Sequence, residues 1–242
     1  MDVEKLVIAK SARPGGIGNF AFYPHVDGHL VDRQPSAIIA ASDHNQVPFI
    51  IGSNADEYAN RFVEEIALKE YPRMLAAALG EATLPFMAQI LAAYPTSDYA
   101  SPREALVAAV TDRNLTCTSR MIARSFTYSQ SAPVYRYYFT RALSTNLRAG
   151  EGAYHGSELL FLFQHMTGEV FNADASDRAT EAAMLGYWTR FAASGDPNGG
   201  DLPAWPRYEI ATDPYQVIEG TPRAATNLRG DKCAFWSNLS RP

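Results

Sequence analysis

The sequence has little charge of one sign, few cysteines and no long apolar run. Its 21 Lys and Arg face 26 Asp and Glu, a net charge of −5. This leaves no basic surplus of the kind that neutralises nucleic-acid phosphates. No apolar stretch approaches the ~20 residues that span a bilayer. The longest, VPFIIG and ELLFLF, suit buried core elements. The opening stretch MDVEKLVIAKSARPGG lacks the basic-then-apolar layout of a secretory leader, which is the expectation for a cytoplasmic chain or for one whose true start lies upstream. GxxxxGK[ST], GxGxxG and HExxH are all absent, so the sequence offers neither a phosphate loop nor a zinc-binding helix. Cys117 and Cys233 have no neighbours at metal-ligand spacing, and by themselves they read as two buried thiols.

What is present is ordinary globular material. Of the 242 residues, 47% are hydrophobic and 19% charged, enough to bury a sizeable core and too apolar for disorder. Residues 1–46 are broken by Pro14, Gly15, Gly16, Gly18, Pro24, Gly28 and Pro35 and read as loop with short extended pieces. VPFIIGSN reads as a buried strand ending near Gly52, and PVYRYYFTR as a second strand, buried on both faces. Residues 56–79 read as one or two helices closed by Gly80, with TLPFMAQILAAY a further helix. The stretch SPREALVAAVTDRNLTCTSRMIARSFTYSQ is predicted helical throughout, capped by Ser101 with Pro102 in the first turn. GSELLFLFQHM is apolar and short, and periodicity leaves helix and strand both open. From Asp177 to Ser194, the residues Met184, Tyr187, Trp188, Phe191 and Ala192 form one helical stripe ended by Gly195. PYQVIEG is predicted as a late strand and CAFWSNL as a short terminal helix. No repeat or linker interrupts the chain, so a single α/β domain is the economical reading.

Two side chains stand out as candidates for chemistry. Glu57 follows the strand VPFIIGSN, and in open α/β sheets active-site groups gather beyond the carboxyl ends of strands. A carboxylate there can hold an imidazole in one tautomer and stabilise the imidazolium. The plainer reading is an exposed loop acid, for which Asp56 and Glu64 are equally available. His155 follows a strand and a glycine-bearing loop, a common setting for a general base. A histidine satisfied by one hydrogen bond is the plainer reading there. Their order, acid before histidine, is the order found in α/β-hydrolases.

Four segments carry a resemblance. VPFIIGSNADEYANRF resembles the segment of type-B carboxylesterases, the cholinesterase–lipase family, that bears the catalytic acid in a G-x-N-x-D-E setting. GAYHGSELLFLF is similar to that family's G-x-x-H-G-x-E segment. YWTRFAASGDPN followed by LPAWPRY looks like its late helix and W-P-x-Y signature, and FYPHVDGHLV resembles the stretch ahead of the acid. The matches run along nearly the whole chain in family order. The resemblance implies the C-terminal portion of an α/β-hydrolase fold, an incomplete and mostly parallel sheet flanked by helices, with residues 1–242 forming one partial domain. It implies Glu57 as triad acid, His155 as general base and Glu158 in a supporting role, with no cofactor and no metal. It also implies a disulfide between Cys117 and Cys233, against the reading of free thiols. Such a bridge closes a loop of over a hundred residues, worth on the order of 5 kcal/mol in the chain-entropy model. With that bridge an extracellular or periplasmic setting is favoured, and otherwise a cytoplasmic one.

The departure from the family is as informative. The resemblance covers only about the second half of such an enzyme, and no G-x-S-x-G occurs in the sequence. Ser11, Ser36, Ser42 and Ser53 precede Glu57 outside any nucleophile elbow, and the glycine-rich oxyanion loop is missing as well. The expected function is that of a carboxylic ester hydrolase segment supplying Glu and His, with a small-molecule ester as substrate. The missing N-terminal half, or an oligomeric partner, would bring the serine. Without it, the strand VPFII would leave an unpaired edge. An inactive family member used for binding or adhesion is the alternative, and a standalone hydrolase with an unorthodox serine is a third. Phe20, Phe22, Tyr58, Phe62 and Phe161 are candidate pocket walls, with ordinary core the plainer reading for each.

Overall fold

The structure, a computed structural model, describes residues 26–143, 150–166 and 172–239. Phe20, Phe22, Gly15, Gly16, Gly18 and part of the loop ahead of His155 lie outside the described residues.

Four strands form one sheet: β1 (Phe49–Asn54), β2 (Val134–Phe139), β3 (Pro214–Ile218) and β4 (Arg223–Thr226), in that spatial order. β1 runs parallel to β2, pairing Phe49 with Val134 through Asn54 with Phe139. β2 runs parallel to β3, and β4 returns antiparallel. The β-branched and aromatic residues of VPFII and PVYRYYF suit a pleated surface covered by helices. β4 was not anticipated, because RAAT is short, three of its four residues are exposed and it lacks an apolar alternation. Gly52 in β1 is a matter of close approach: a Cβ there would overlap the ring of Tyr137 on β2. Gly52→Val is expected to destabilise the chain by roughly 1–3 kcal/mol through overpacking, read as a lowered urea midpoint.

The connections cover the sheet with helices. Between β1 and β2 lie α2 (Tyr71–Leu79), α3 (Met87–Ala93), α4 (Pro102–Thr111) and α5 (Cys117–Ser129); α1 (Pro35–Ala40) precedes β1. Between β2 and β3 lie α6 (Ser157–Leu162) and α7 (Ala175–Ser194), and α8 (Gly230–Leu239) ends the described chain. α1 corrects the all-loop reading of residues 1–46: Pro35 occupies the first turn, where its missing N–H costs nothing, and four good helix formers follow. Residues 56–67 are turns and coil, and the helix begins only at Tyr71 after a short 3-10 turn, Leu68–Glu70. The ambiguous GSELLFLF is helical. The Ser101 hydroxyl accepts the Glu104 N–H at 3.2 Å, as an N-cap should. α4 and α5 are joined by a wide turn, Asp112–Thr116, with π-helical bonding. The widened backbone is satisfied from outside, since fully buried Arg136 donates to the Thr116 carbonyl at 3.2 Å.

Two large apolar clusters and a smaller one, around Ala123, Val134 and Tyr208, form the core of the described residues. The first joins α2, α3, α4 and Trp236 of α8; the second places Tyr135, Phe139, Phe161, Met184, Tyr187 and Trp205 in mutual contact. Phe161 is fully buried, with its ring centroid 5.2 Å from that of Phe139, so it is core; Tyr58 and Phe62 pack half-buried against the first cluster. The α7 stripe joins the second cluster through Met184, Tyr187, Trp188 and Phe191, while Ala192 is exposed. α8 is tied on by covalent and ionic means. Cys117 and Cys233 form a disulfide with Cα atoms 5.0 Å apart, overturning the reading of two free thiols. Beside it, Arg229 Nε lies 2.9 and 3.0 Å from the two carboxylate oxygens of buried Asp112. Among the described residues no helix is long and apolar enough to cross a membrane.

Candidate active site

The parallel pairing of β1 with β2 determines where the two candidate side chains emerge. β1 ends at Asn54, level with Phe139 at the end of β2, and the Ala55 N–H bonds the Phe139 carbonyl at 2.9 Å. Both strands therefore deliver their following loops to the same carboxyl edge of the sheet. The turn after β1 presents Glu57. The loop after β2 returns through Gly152, Ala153 and Tyr154 to His155, and α6 starts immediately behind it.

There the side chains meet. His155 Nδ1 lies 2.7 Å from Glu57 Oε2, although 98 residues separate them in sequence. An ionised carboxylate only accepts, so the ring donates from Nδ1 and keeps its Nε2 lone pair. The His155 N–H also donates to the Glu57 carbonyl at 3.1 Å, so both backbone and ring are held by the same residue. Glu57 is 5% exposed, whereas the His155 side chain is 66% exposed. The acid is thus enclosed, and the imidazole faces out.

The Asn54 N–H donates to Glu57 Oε1 at 2.7 Å. The Asn54 side-chain amide bonds the Tyr154 carbonyl at 2.9 Å and also the Glu158 carboxylate, from the first turn of α6. Glu158 therefore reaches Glu57 through Asn54. Desolvation pushes the Glu57 carboxyl above its ordinary value of 4.5, against the Asn54 and His155 hydrogen bonds, and nearby Glu158 pushes in the same upward direction. The folded chain thus binds this proton more tightly than the unfolded chain, and the Glu57 contribution to stability falls as pH rises from about 4.5 through the folded value. Glu57→Gln is expected to remove that component, so that the urea midpoint of the variant drops less than that of the unaltered chain as pH rises above 4.5.

The remaining described histidines do not join this group. His29 is exposed, His44 Nε2 bonds the Gln130 side chain at 3.0 Å, and the His165 ring lies beside Phe163. Glu64 is an exposed loop acid. Asp56 is more than that, as its carboxylate accepts the Ala153 N–H at 3.0 Å. Reading residues singly overlooked Asn54 and Asp56, although both stand in the segment GSNADE; the signal was their position at the strand end.

A mostly parallel sheet flanked by helices, with an acid and a histidine brought together at its carboxyl edge, is the architecture of an α/β-hydrolase. A family model described as the carboxylesterase family matches residues 2–236, and the chain belongs to that family. It is 29% identical to carboxylesterase 1D of Rattus norvegicus over 91% of this chain and 42% of that protein. It is 28% identical to the liver carboxylesterase of Sus scrofa over 88% of this chain and 40% of that protein. Over half of this chain it is 36% identical to carboxylesterase 4A of Bos taurus, covering 22% of the latter. The chain thus spans well under half the length of these relatives. Membership makes ester hydrolysis the family-level chemistry.

Proposed function

We propose that this chain supplies the acid and the general base of a serine carboxylesterase, as one partial domain whose nucleophile comes from outside these 242 residues. Glu57 orients His155 and stabilises its imidazolium; His155 Nε2 takes the serine proton as the hydroxyl attacks an ester carbonyl and returns it to the leaving alcohol. Glu158 holds Asn54 and, through it, the carboxylate. The oxyanion donors, like the serine, belong to the complementary part of the fold. The observation that carries this reading is the 2.7 Å contact of an enclosed carboxylate with Nδ1 of an outward-facing imidazole.

The edge of the sheet supports a complementary part. β1 is the outermost strand among the described residues, half-buried over Phe49–Gly52. Beside His155, Leu159 and Phe163 are 47% and 61% exposed. A free strand edge and, separately, exposed apolar side chains on α6 suit the missing half of the same fold, or an oligomeric partner that provides its equivalent. Small-molecule esters are the substrate class. The reading of an inactive binding member draws on one observation, the absence of G-x-S-x-G; retention of a paired Glu and His speaks for chemistry.

The test is turnover of a p-nitrophenyl ester. The purified chain alone is expected to be inactive, and to gain activity when combined with the G-x-S-x-G-bearing portion of a carboxylesterase. Turnover by the chain alone, or none after combination into a folded assembly, would overturn the proposal.

A further inference from the structure

The adjacent acids Asp56 and Glu57 grip the same loop at different points. The Glu57 carboxylate holds the His155 ring, and its carbonyl holds the His155 N–H. One residue earlier, the Asp56 N–H donates to the Ala153 carbonyl at 3.0 Å, and the Asp56 carboxylate accepts the Ala153 N–H at 3.0 Å. Ala153 is fully buried, so leaving its N–H unpaired would be costly. Gly152, just before it, has φ +62°, a conformation glycine adopts freely, and a Cβ at that position would collide with the Asp56 carboxylate. The loop is thus shaped to let this one carboxylate reach its backbone. Two residues beyond Ala153 the chain arrives at His155.

Arg103 of α4 donates to the carbonyls of Ala59, at 2.9 Å, and Phe62. That fixes the turn carrying both acids against the helical layer. Asp56 itself faces a cavity of about 470 Å³ shared with Arg103, Glu104, Tyr138 and Glu151. One of its carboxylate oxygens, Oδ2, is turned onto the histidine loop, where it accepts the Ala153 N–H.

We propose that Asp56 is a positioning residue, whose carboxylate holds Ala153 and so places the His155 ring on Glu57. This rests on the reading of Glu57 and His155 as an acid–base pair. Without the latch, the loop loses the bond that aligns it with the turn after β1, and the imidazole is released to solvent. Asp56 acts through the backbone of Ala153 and so through His155. Burial raises the Asp56 carboxyl above its ordinary value of 3.8, against the Ala153 hydrogen bond. Keeping an acid in a position where ionisation is disfavoured fits a group retained for placement.

The tautomer of His155 reports the placement directly. In the 15N-labelled chain at pH 8, long-range 1H–15N correlations distinguish a ring protonated at Nδ1 from one protonated at Nε2. Pairing with Glu57 enforces Nδ1–H, whereas an unconstrained neutral imidazole favours Nε2–H. The unaltered chain and Asp56→Asn, which keeps an acceptor oxygen for Ala153, are expected to show Nδ1–H. Asp56→Ala is expected to invert to Nε2–H. Leu75→Ala, a destabilising change in the remote core, is expected to leave Nδ1–H in place. Asp56→Ala retaining Nδ1–H, Asp56→Asn losing it, or Leu75→Ala losing it would overturn the positioning role. An Nε2–H ring in the unaltered chain would instead contradict the Glu57–His155 pair itself, so the two failures are distinguishable. If Asp56→Ala does not fold, amide exchange in the unaltered chain decides. The Ala153 N–H must then be protected to the same degree as the His155 N–H, and free exchange at Ala153 overturns the latch.

Discussion

His155→Ala in an assembly completed by a serine-bearing portion of a carboxylesterase is expected to lower kcat for a p-nitrophenyl ester by on the order of 10⁵–10⁶, with KM little changed. The magnitude follows from what the imidazole does. Without a base the serine remains a neutral hydroxyl, and the leaving alcohol departs without a proton. What survives is binding and oxyanion stabilisation. Glu57→Gln is expected to cost about 10⁴. An amide in its place can present an N–H to Nδ1, favouring the tautomer with the proton on Nε2, which cannot accept from serine. The two effects are not additive, because the carboxylate works only through the ring. A double variant no worse than His155→Ala alone is the expected signature.

Breaking the Cys117–Cys233 bridge is expected to produce the largest loss of stability, about 2–5 kcal/mol for Cys117→Ala with Cys233→Ala, read as a drop in the urea midpoint. The residues are 116 apart in sequence, so the bridge removes a large loop from the unfolded ensemble. The loss is concentrated at one place. Between the cysteines lie most of the sheet and the whole of α7, and the bridge ties α8 onto the start of α5. Next to it the Asp112–Arg229 pair holds the same junction; removing only Arg229 would leave Asp112 buried without its cation. The double cysteine variant is therefore expected to loosen α8 first, with amide exchange rising around Trp236 before it rises in β1 and β2.

Much of the fold could be read from the sequence because local signals agreed with tertiary demands. β1, β2 and β3 have the β-branched and aromatic composition of covered strands. α7 has a complete stripe, and Gly195, in the left-handed region at φ +77°, ends it where expected. The misreadings fall where the local signal was weak or tertiary bonds overrode it. Residues 56–67 have helix-forming composition, but the turn there is pinned by Arg103 on one side and the His155 loop on the other. β4 has almost no apolar face and exists because β3 offers it an edge. The wide turn at Asp112–Thr116 depends on Arg136 from a different element, so nothing local announces it.

The site was legible to a different degree. Position after a strand suggested Glu57, and chain order suggested His155, but no spacing rule brings together residues 98 apart. Their meeting depends on the parallel register of β1 with β2, a long-range property. The resemblance to type-B carboxylesterases singled out the two residues, and it assigned Glu158 only a supporting role without a contact. Asp56 was indistinguishable from any loop acid until the partner of its carboxylate was known. The cysteines show the same limit. Taken alone they read as buried thiols; the family resemblance implied the pair, and the juxtaposition of α5 with α8 forms it.

The central claim is that His155, held by Glu57, is the base for a serine that this sequence does not contain. Labelling with a fluorophosphonate tests it most directly. The expected result is that the complementary serine-bearing portion is labelled rapidly only in the presence of this chain, that Glu57→Gln or His155→Ala abolishes the acceleration, and that this chain carries no label. Labelling of a serine within the 242 residues, or a labelling rate indifferent to His155, would contradict the account.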